Sequence, residues 1–180
     1  MIVLDATQGV TRDDQRIITR VIDAGCGLIL LVNKWDLVTG PRQARSPRQT
    51  EAILAGAVTR ALPFASFAPV LAVSAKTGFQ VARGLAKALQ VARARRAGLS
   101  DPEVLSILKT AWTKQPPPRV RGRLIRLQQA RWVVGRPVRV AIVTTPIAPL
   151  PPGYQRYLLK QFQASPRCAG VPLQLRVNER

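Results

Sequence analysis

Blocks of apolar residues alternate with polar stretches along the first half of the chain, and the period of the pattern changes from block to block. "MIVLD" is four apolar residues closed by Asp5, a short strand, and the loop after it turns at Gln8-Gly9. Thr11 stands as an N-cap. Asp13 and Asp14 fall in the first helical turn, where the helix dipole favours carboxylates, and Ile17, Ile18, Val21 and Ile22 share one face before Gly25 stops the helix. "GLILLVN" (27–33) is apolar without alternation, as suits a strand covered on both faces of a parallel sheet. A polar, basic loop, "TGPRQARSPRQ" (39–49), contains the start of a helix capped by Ser46, with Pro47 at its first position, that runs to about Leu62. "APVLAVS" (68–74) reads as a third buried strand. A helix from about Gln80 through Arg96 follows, with Val81, Leu85 and Leu89 turned inward. Strand and helix thus alternate three times, which predicts a parallel α/β sheet with right-handed crossovers and a ligand site at the carboxyl ends of its strands.

After Gly98 the pattern changes. Ser100 caps a helix from Asp101 to about Lys114, and "QPPPR" (115–119) breaks it. "VRGRLIRLQQA" (120–130) and "RPVRVAIVT" (136–144) read as two strands separated by "RWVVG". A proline-rich loop, a helix from about Tyr154 to Ala164 and a last strand, "VPLQLRV" (171–177), complete the series. The expected organisation is an α/β unit at 1–97 followed by a small α+β domain with an antiparallel hairpin at 98–180.

Composition narrows the chemistry. With 47% hydrophobic residues the chain can build packed cores. It carries no run of eighteen uncharged apolar residues and no secretory leader pattern, so the expectation is a cytoplasmic protein with no membrane partner. There is no histidine, which removes Ser-His-Asp and Cys-His catalysis and the commonest metal ligand together. Cys26 and Cys168 lack C-x-x-C spacing and are read as buried thiols, with no metal site and no catalytic residue expected. The charge is lopsided: 28 Lys and Arg against 9 Asp and Glu give a net +19, most of it beyond residue 92. A basic half suggests a polyanionic partner, although an arginine-favouring composition would give the same count.

"LILLVNKWDLV" then stands out, because a sparse carboxylate, Asp36, closes a buried strand in a chain poor in acids. Guanine presents two adjacent donors, N1–H and the 2-amino group, and one carboxylate meets both with a bidentate pair of charge-assisted hydrogen bonds. Adenine offers no such pair. Asn33 can fix the loop and reach the purine edge, and the Lys34 stem can lie on the base. After the next strand, "SAKTG" supplies backbone N–H groups near Ser74 and Ala75 for the guanine O6, with Lys76 over the other face. Asp5 is read as a turn or cap residue and Trp35 as packing.

"NKWD" followed by "SAKTG" resembles the base-recognition motifs of Ras-like GTPases. More narrowly, "VLDATQGVTRDDQRI", "LVNKWDLV", "LPFASFAPVLAVSAKTG", "PPPRVRGR" and "PPGYQRYLLKQF" resemble the second GTPase domain and C-terminal KH-like domain of the Der (EngA) family. That resemblance implies an incomplete Ras-like parallel sheet followed by a KH-like domain. It also implies GTP or GDP as ligand, with Mg²⁺ in a complete member, and ribosomal RNA of the large subunit as partner. The 180 residues contain neither G-x-x-x-x-G-K-[ST] nor D-x-x-G, the parts that hold phosphates and metal. The chain is therefore expected to be a C-terminal fragment of a ribosome-assembly GTPase, inactive alone. The alternative is a short, basic rRNA-binding module without GTPase chemistry. Two charge-assisted hydrogen bonds contribute about 1.5–3 kcal/mol each, whereas association costs roughly 4–15 kcal/mol, so base contacts alone hold no nucleotide. The first strand, residues 2–5, would keep an unpaired edge able to self-associate.

The second half carries no G-x-x-G loop of the kind that clamps RNA in KH domains. Backbone attraction is what remains, and the candidates are Arg119, Arg121, Arg123, Arg126, Arg131, Arg136 and Arg139. If 119–123 is extended, alternate arginines there share a face. A solvated strand face, or a surface docking on further GTPase sequence, is the competing reading.

Overall fold

The computed structural model describes residues 1–38, 47–119, 122–147 and 149–178, with the side chains of 47, 48, 50, 51 and 55 outside that description. The expected loop at 39–46 with its Ser46 cap, and Arg121, also lie outside it. Two three-stranded sheets organise the described residues.

The first sheet is parallel, in the order β1 (Ile2–Asp5), β2 (Leu30–Asn33), β3 (Val70–Ala72), with Val3 paired to Leu31 and Asp5 to Asn33. Helix α1 (Arg12–Asp23) links β1 to β2. It opens with a capping box in which Thr11 and Asp14 bond reciprocally, satisfying amide groups that a helix start leaves unpaired. It closes in a Schellman turn, Cys26 N–H to Val21 O and Gly25 N–H to Ile22 O, with Gly25 at φ +65°. That turn puts Cys26 just past the helix end, and the thiol is exposed, not buried as expected. Ile18 is fully buried, whereas Ile17, expected on the same face, is half exposed. A single turn, α2 (Trp35–Val38), and helix α3 (Pro47–Ala61) follow β2. Trp35 packs against the core of this sheet.

Helix α4 (Val81–Ala97) meets the sheet with a different face from the one its apolar stripe suggests. Gly84 and Val91 are its buried positions, and a Cβ on Gly84 would stand 3.3 Å from Leu31 Cδ2, so the missing side chain sets how closely helix and strand approach. Val81, Leu85 and Leu89, expected inward, are 38%, 53% and 60% exposed. The two flanks of the helix differ. Arg83, Lys87 and Gln90 line a groove with Val70 and Leu71 of β3, while Ala88 and Ala92 line a second cleft with Met1 and Ile29 on the β1 side.

Helix α5 (Asp101–Lys114) starts at a Ser100–Glu103 capping box and leads to the second sheet. Its order is β4 (Arg126–Val133), β5 (Val138–Thr145), β6 (Leu173–Val177), β4 antiparallel and β6 parallel to β5. The first of these strands begins six residues later than expected and runs through Val133, so "RWV" belongs to the strand and Gly135–Pro137 forms the turn. Helix α6 (Pro152–Gln163) and α5 cover one face. Val104, Leu108, Leu158 and Phe162 from the helices pack on Val138, Val140 and Ile142. Cys168 is buried in this core, which pushes its thiol up to about 11.

The sheets share a seam. Gly170 donates to Phe67 O (2.9 Å) and accepts from Leu28 N–H (2.8 Å), while the Arg95 guanidinium donates to Gly25 O and Gly135 O. Gly25 is tied to this seam, since a Cβ there would fall 2.5 Å from the Pro137 backbone.

Candidate functional site

The carboxyl ends of β2 and β3 hold the two loops in question. Asn33 is the last residue of β2. Lys34 adopts φ +62°, a left-handed conformation uncommon for a non-glycine residue, and it turns the chain straight into α2 so that Asp36 sits in the first turn. Across the gap, Ser74 Oγ donates to Asp36 Oδ1 at 2.6 Å, Ala75 N–H donates to Asn33 Oδ1 at 3.0 Å, and Trp35 N–H donates to Val73 O at 3.2 Å. Ser74 is almost fully buried, and its hydroxyl also accepts from Thr77 N–H. A hydroxyl hydrogen bond to a carboxylate is charge-assisted and short, so these contacts lock the loops to one another.

The structure brings together Asn33, Asp36, Ser74 and Ala75, with Lys76 exposed on the second loop. Among the described residues only Oδ1 of Asp36 is engaged by the protein. Its half-exposed carboxylate can still receive a pair of adjacent N–H donors. The two amides expected to serve a base oxygen are both in use: Ser74 N–H donates to Phe79 O and Ala75 N–H to Asn33 Oδ1.

Lys34 reaches the other way. Its Nζ lies 2.6 Å from Asp5 Oδ2, on the neighbouring strand, and Asp5 Oδ1 accepts from the Thr7 N–H and hydroxyl. The Lys34 ammonium first, and the Thr7 donors next, hold the Asp5 carboxyl down to about 2. Asp5 therefore forms the expected turn and also anchors Lys34. The signal in sequence was the shared position: Asp5 and Asn33 both close strands that pair in register.

The arginine candidates separate. Arg119 and Arg123 precede β4, with a turn at Gly122 (φ +74°) beside Arg123, and Arg121, the middle of the expected 119–123 stripe, lies outside the described residues. Arg136 lies in the β4–β5 turn and lines the cleft that holds Arg95, Arg96 and Cys26. Arg126, Arg131 and Arg139 stand exposed on the sheet, and they share its outer face because the pairing shifts between Leu127 and Gln129. A β-bulge adds one residue and so flips the parity, bringing Arg126 to the side of Arg131. Arg176 of β6, level with Ala141 and Arg131, joins them. It was not anticipated; the alternation in "LQLRV" was the available signal.

Residues 99–178 match the family model described as the KH-domain-like, C-terminal domain of EngA bacterial GTPase enzymes. The similarity extends to nearly the whole chain. It is 34% identical over 175 residues to a GTPase Der from Desulforudis audaxviator, covering 97% of this chain and 39% of that protein. A GTPase Der from Coxiella burnetii is 31% identical over 176 residues (97% and 38%). The chain belongs to the Der (EngA) family and matches its C-terminal part. It spans about two fifths of the length of these Der relatives, and the matched region includes both the NKWD and SAKTG loops and the whole second sheet. Among the described residues no helix is long and apolar enough to cross a membrane.

Proposed function

We propose that residues 1–97 supply the guanine-reading half of a nucleotide domain and residues 98–180 a basic RNA-docking domain, together serving a GTP-binding protein of large-subunit ribosome assembly. The observation that carries this reading is the pair of hydrogen bonds, Ser74 to Asp36 and Ala75 to Asn33, that holds one carboxylate between two loops at the carboxyl ends of parallel strands. Asp36 accepts N1–H and the 2-amino group of guanine. The Lys34 and Lys76 stems flank the base, and Asn33 steers the purine edge. Either Ala75 N–H is shared with the base O6 or Asn33 yields it. Phosphates and Mg²⁺ are held by sequence of the P-loop type that these 180 residues do not contain.

The uncovered flank of α4 supports the same reading over a short, self-sufficient module. Val3 lies on the α4 side of the sheet, level with Leu31, and is 57% exposed, with Met1, Leu85 and Leu89 similarly bare. The β3 flank is polar and suits solvent; the β1 flank is apolar and suits further strands carrying the phosphate-binding residues. In that arrangement residues 2–5 pair with those strands and not with a second copy of the chain.

The test is the Asp36→Asn variant in a protein that carries the complete nucleotide domain. The amide offers a donor where xanthine has an oxygen, so affinity for guanosine diphosphate falls at least tenfold and xanthosine diphosphate becomes the preferred ligand. Unaltered guanine preference would remove Asp36 from this role. The 180-residue chain alone, titrated with GDP in a calorimeter, is expected to show no micromolar binding.

A further inference from the structure

We infer that the outer face of the β4-β5-β6 sheet docks on the sugar-phosphate backbone of double-helical RNA. This deepens, and rests on, the reading of the C-terminal domain as RNA-docking; it assigns the surface, adds Arg176, and sets aside Arg119, Arg123 and Arg136. The opposite face of the sheet is filled by α5 and α6, so the outer face is the side that remains open among the described residues. Four guanidinium groups stand on it. Arg131, Ala141 and Arg176 form one row across the three strands, Val133, Arg139 and Gln174 form the next, and the bulge adds Arg126 opposite Thr145. Strands lie about 4.8 Å apart and alternate residues along a strand about 6.8 Å, so the four charges spread over a patch of about 10 Å by 20 Å. Arg131 and Arg139 have no carboxylate partner among the described residues. The small Ala141 at the centre leaves the patch flat between its arginines.

What the face lacks decides the kind of RNA. Single strands are gripped by aromatic side chains that stack on bases, and here Trp132 points inward against the core, leaving Arg, Gln, Thr, Val and Ala outside. A-form helices are recognised by shape, through phosphates and 2′-hydroxyls. Guanidinium forks match the first, and Gln129, Gln174 and Thr145, each donor and acceptor, match the second. A membrane surface would call for aromatic or leucine side chains to insert beside the charges, and a protein partner for an aromatic anchor; the face carries neither.

The experiment compares three forms of the purified protein on a short RNA duplex: wild type, Arg126→Gln with Arg131→Gln, Arg139→Gln and Arg176→Gln, and a control that removes four charges from the helix side, Lys109→Gln, Lys114→Gln, Arg156→Gln and Lys160→Gln. A second sheet variant that keeps Arg176 guards against a local packing role for that half-buried residue. Each phosphate contact adds about 0.9 to the slope of log affinity against log salt, so four contacts account for an affinity loss of about 150-fold between roughly 50 and 200 mM salt. The sheet variants lose most of that slope and bind weakly at every salt concentration; the control stays within about one unit of the wild-type slope. Equal loss in sheet variants and control would overturn the assigned face while leaving RNA docking in place. Preference for a single strand of the same length would also overturn the inference alone. Failure of the wild type to bind any RNA at low salt, or binding only to phosphatidylserine vesicles, would overturn the inference and the RNA reading together.

Discussion

The two sheets leave different things uncovered. The second has a face of arginine, glutamine and threonine turned to solvent, backed by a filled core. The first is covered by helices yet exposes Val3, Leu85 and Leu89 at one flank, while its other flank carries Arg83, Lys87 and Gln90. A polar open face is a finished surface, stable in water and suited to a charged partner. An apolar one is stable only against more protein, because each buried side chain of this size contributes about 1.5–3 kcal/mol when removed from water. On the reading proposed above, the contrast assigns two kinds of partner to two ends of one chain: polypeptide at β1, polyanion at the second sheet.

The sharpest way to break the comparison is to damage the finished side. Phe162 is fully buried between α6 and the second sheet, and Phe162→Ala should cost about 3–5 kcal/mol through lost burial and a residual cavity. Because Gly170 bonds to Leu28 and Phe67 and Arg95 clamps Gly25 to Gly135, the loss is expected to reach the first sheet. Urea unfolding followed by Trp35 and by Trp112 should then give one shared midpoint, lowered together. Two separate midpoints, with Trp35 unmoved, would mean that the seam does not couple the sheets.

The next test addresses the unfinished side. Leu85→Gln with Leu89→Gln should change the stability of the 180-residue chain by no more than about 0.5 kcal/mol per site, as is usual for exposed positions, while reducing its self-association in sedimentation. In a protein with the complete nucleotide domain the same pair should cost about 1.5–3 kcal/mol per residue. Equal, small effects in both settings would show that the flank is an ordinary surface.

This flank also marks where sequence reading met its limit. The strands, their parallel order and the Thr11, Ser100 and Gly25 signals follow local rules, and the structure realises them. Val81, Leu85 and Leu89 follow an apolar period, and that period marks an apolar face without saying what covers it; Gly84 and Val91 are the positions that meet the sheet. The shared face of Arg126 and Arg131 was out of reach for another reason: a bulge at 127–129 resets the parity, which alternation cannot register. The NKWD and SAKTG loops were legible because each directly follows a buried strand; the use of the Ser74 hydroxyl and the Ala75 amide inside the protein was not, since it depends on contacts across 38 and 42 residues.

Between the NKWD and SAKTG loops, Ser74→Ala is expected to cost about 1.5–3 kcal/mol, the usual loss for a hydrogen bond to a charged group. The buried hydroxyl both donates to Asp36 and accepts from Thr77, so removal frees α2 from the second loop. Amide exchange should speed up at residues 35–38 and 75–77 and leave the second sheet unchanged. Uniform acceleration through both sheets would instead point to global destabilisation.

The smallest effect concerns acid, and each unit offers one carboxylate for comparison. Asp5 is held down to about 2 from 3.8, chiefly by Lys34, and Glu103 is lowered from 4.5, chiefly by the Ser100 backbone amide and hydroxyl. A carboxyl depressed in the folded state adds stability that is complete above its unfolded value and is lost as pH falls through the folded one. For Asp5 that window runs from about pH 4 down to about pH 2. Carboxyl-carbon NMR should therefore place the Asp5 midpoint near 2, and Asp5→Asn should flatten the acid limb of first-sheet stability across the window. The contribution of Glu103 to the second sheet should persist in that variant. An Asp5 midpoint at 3.8 would mean that Lys34 spends its time elsewhere, free to lie along a base without first leaving a carboxylate.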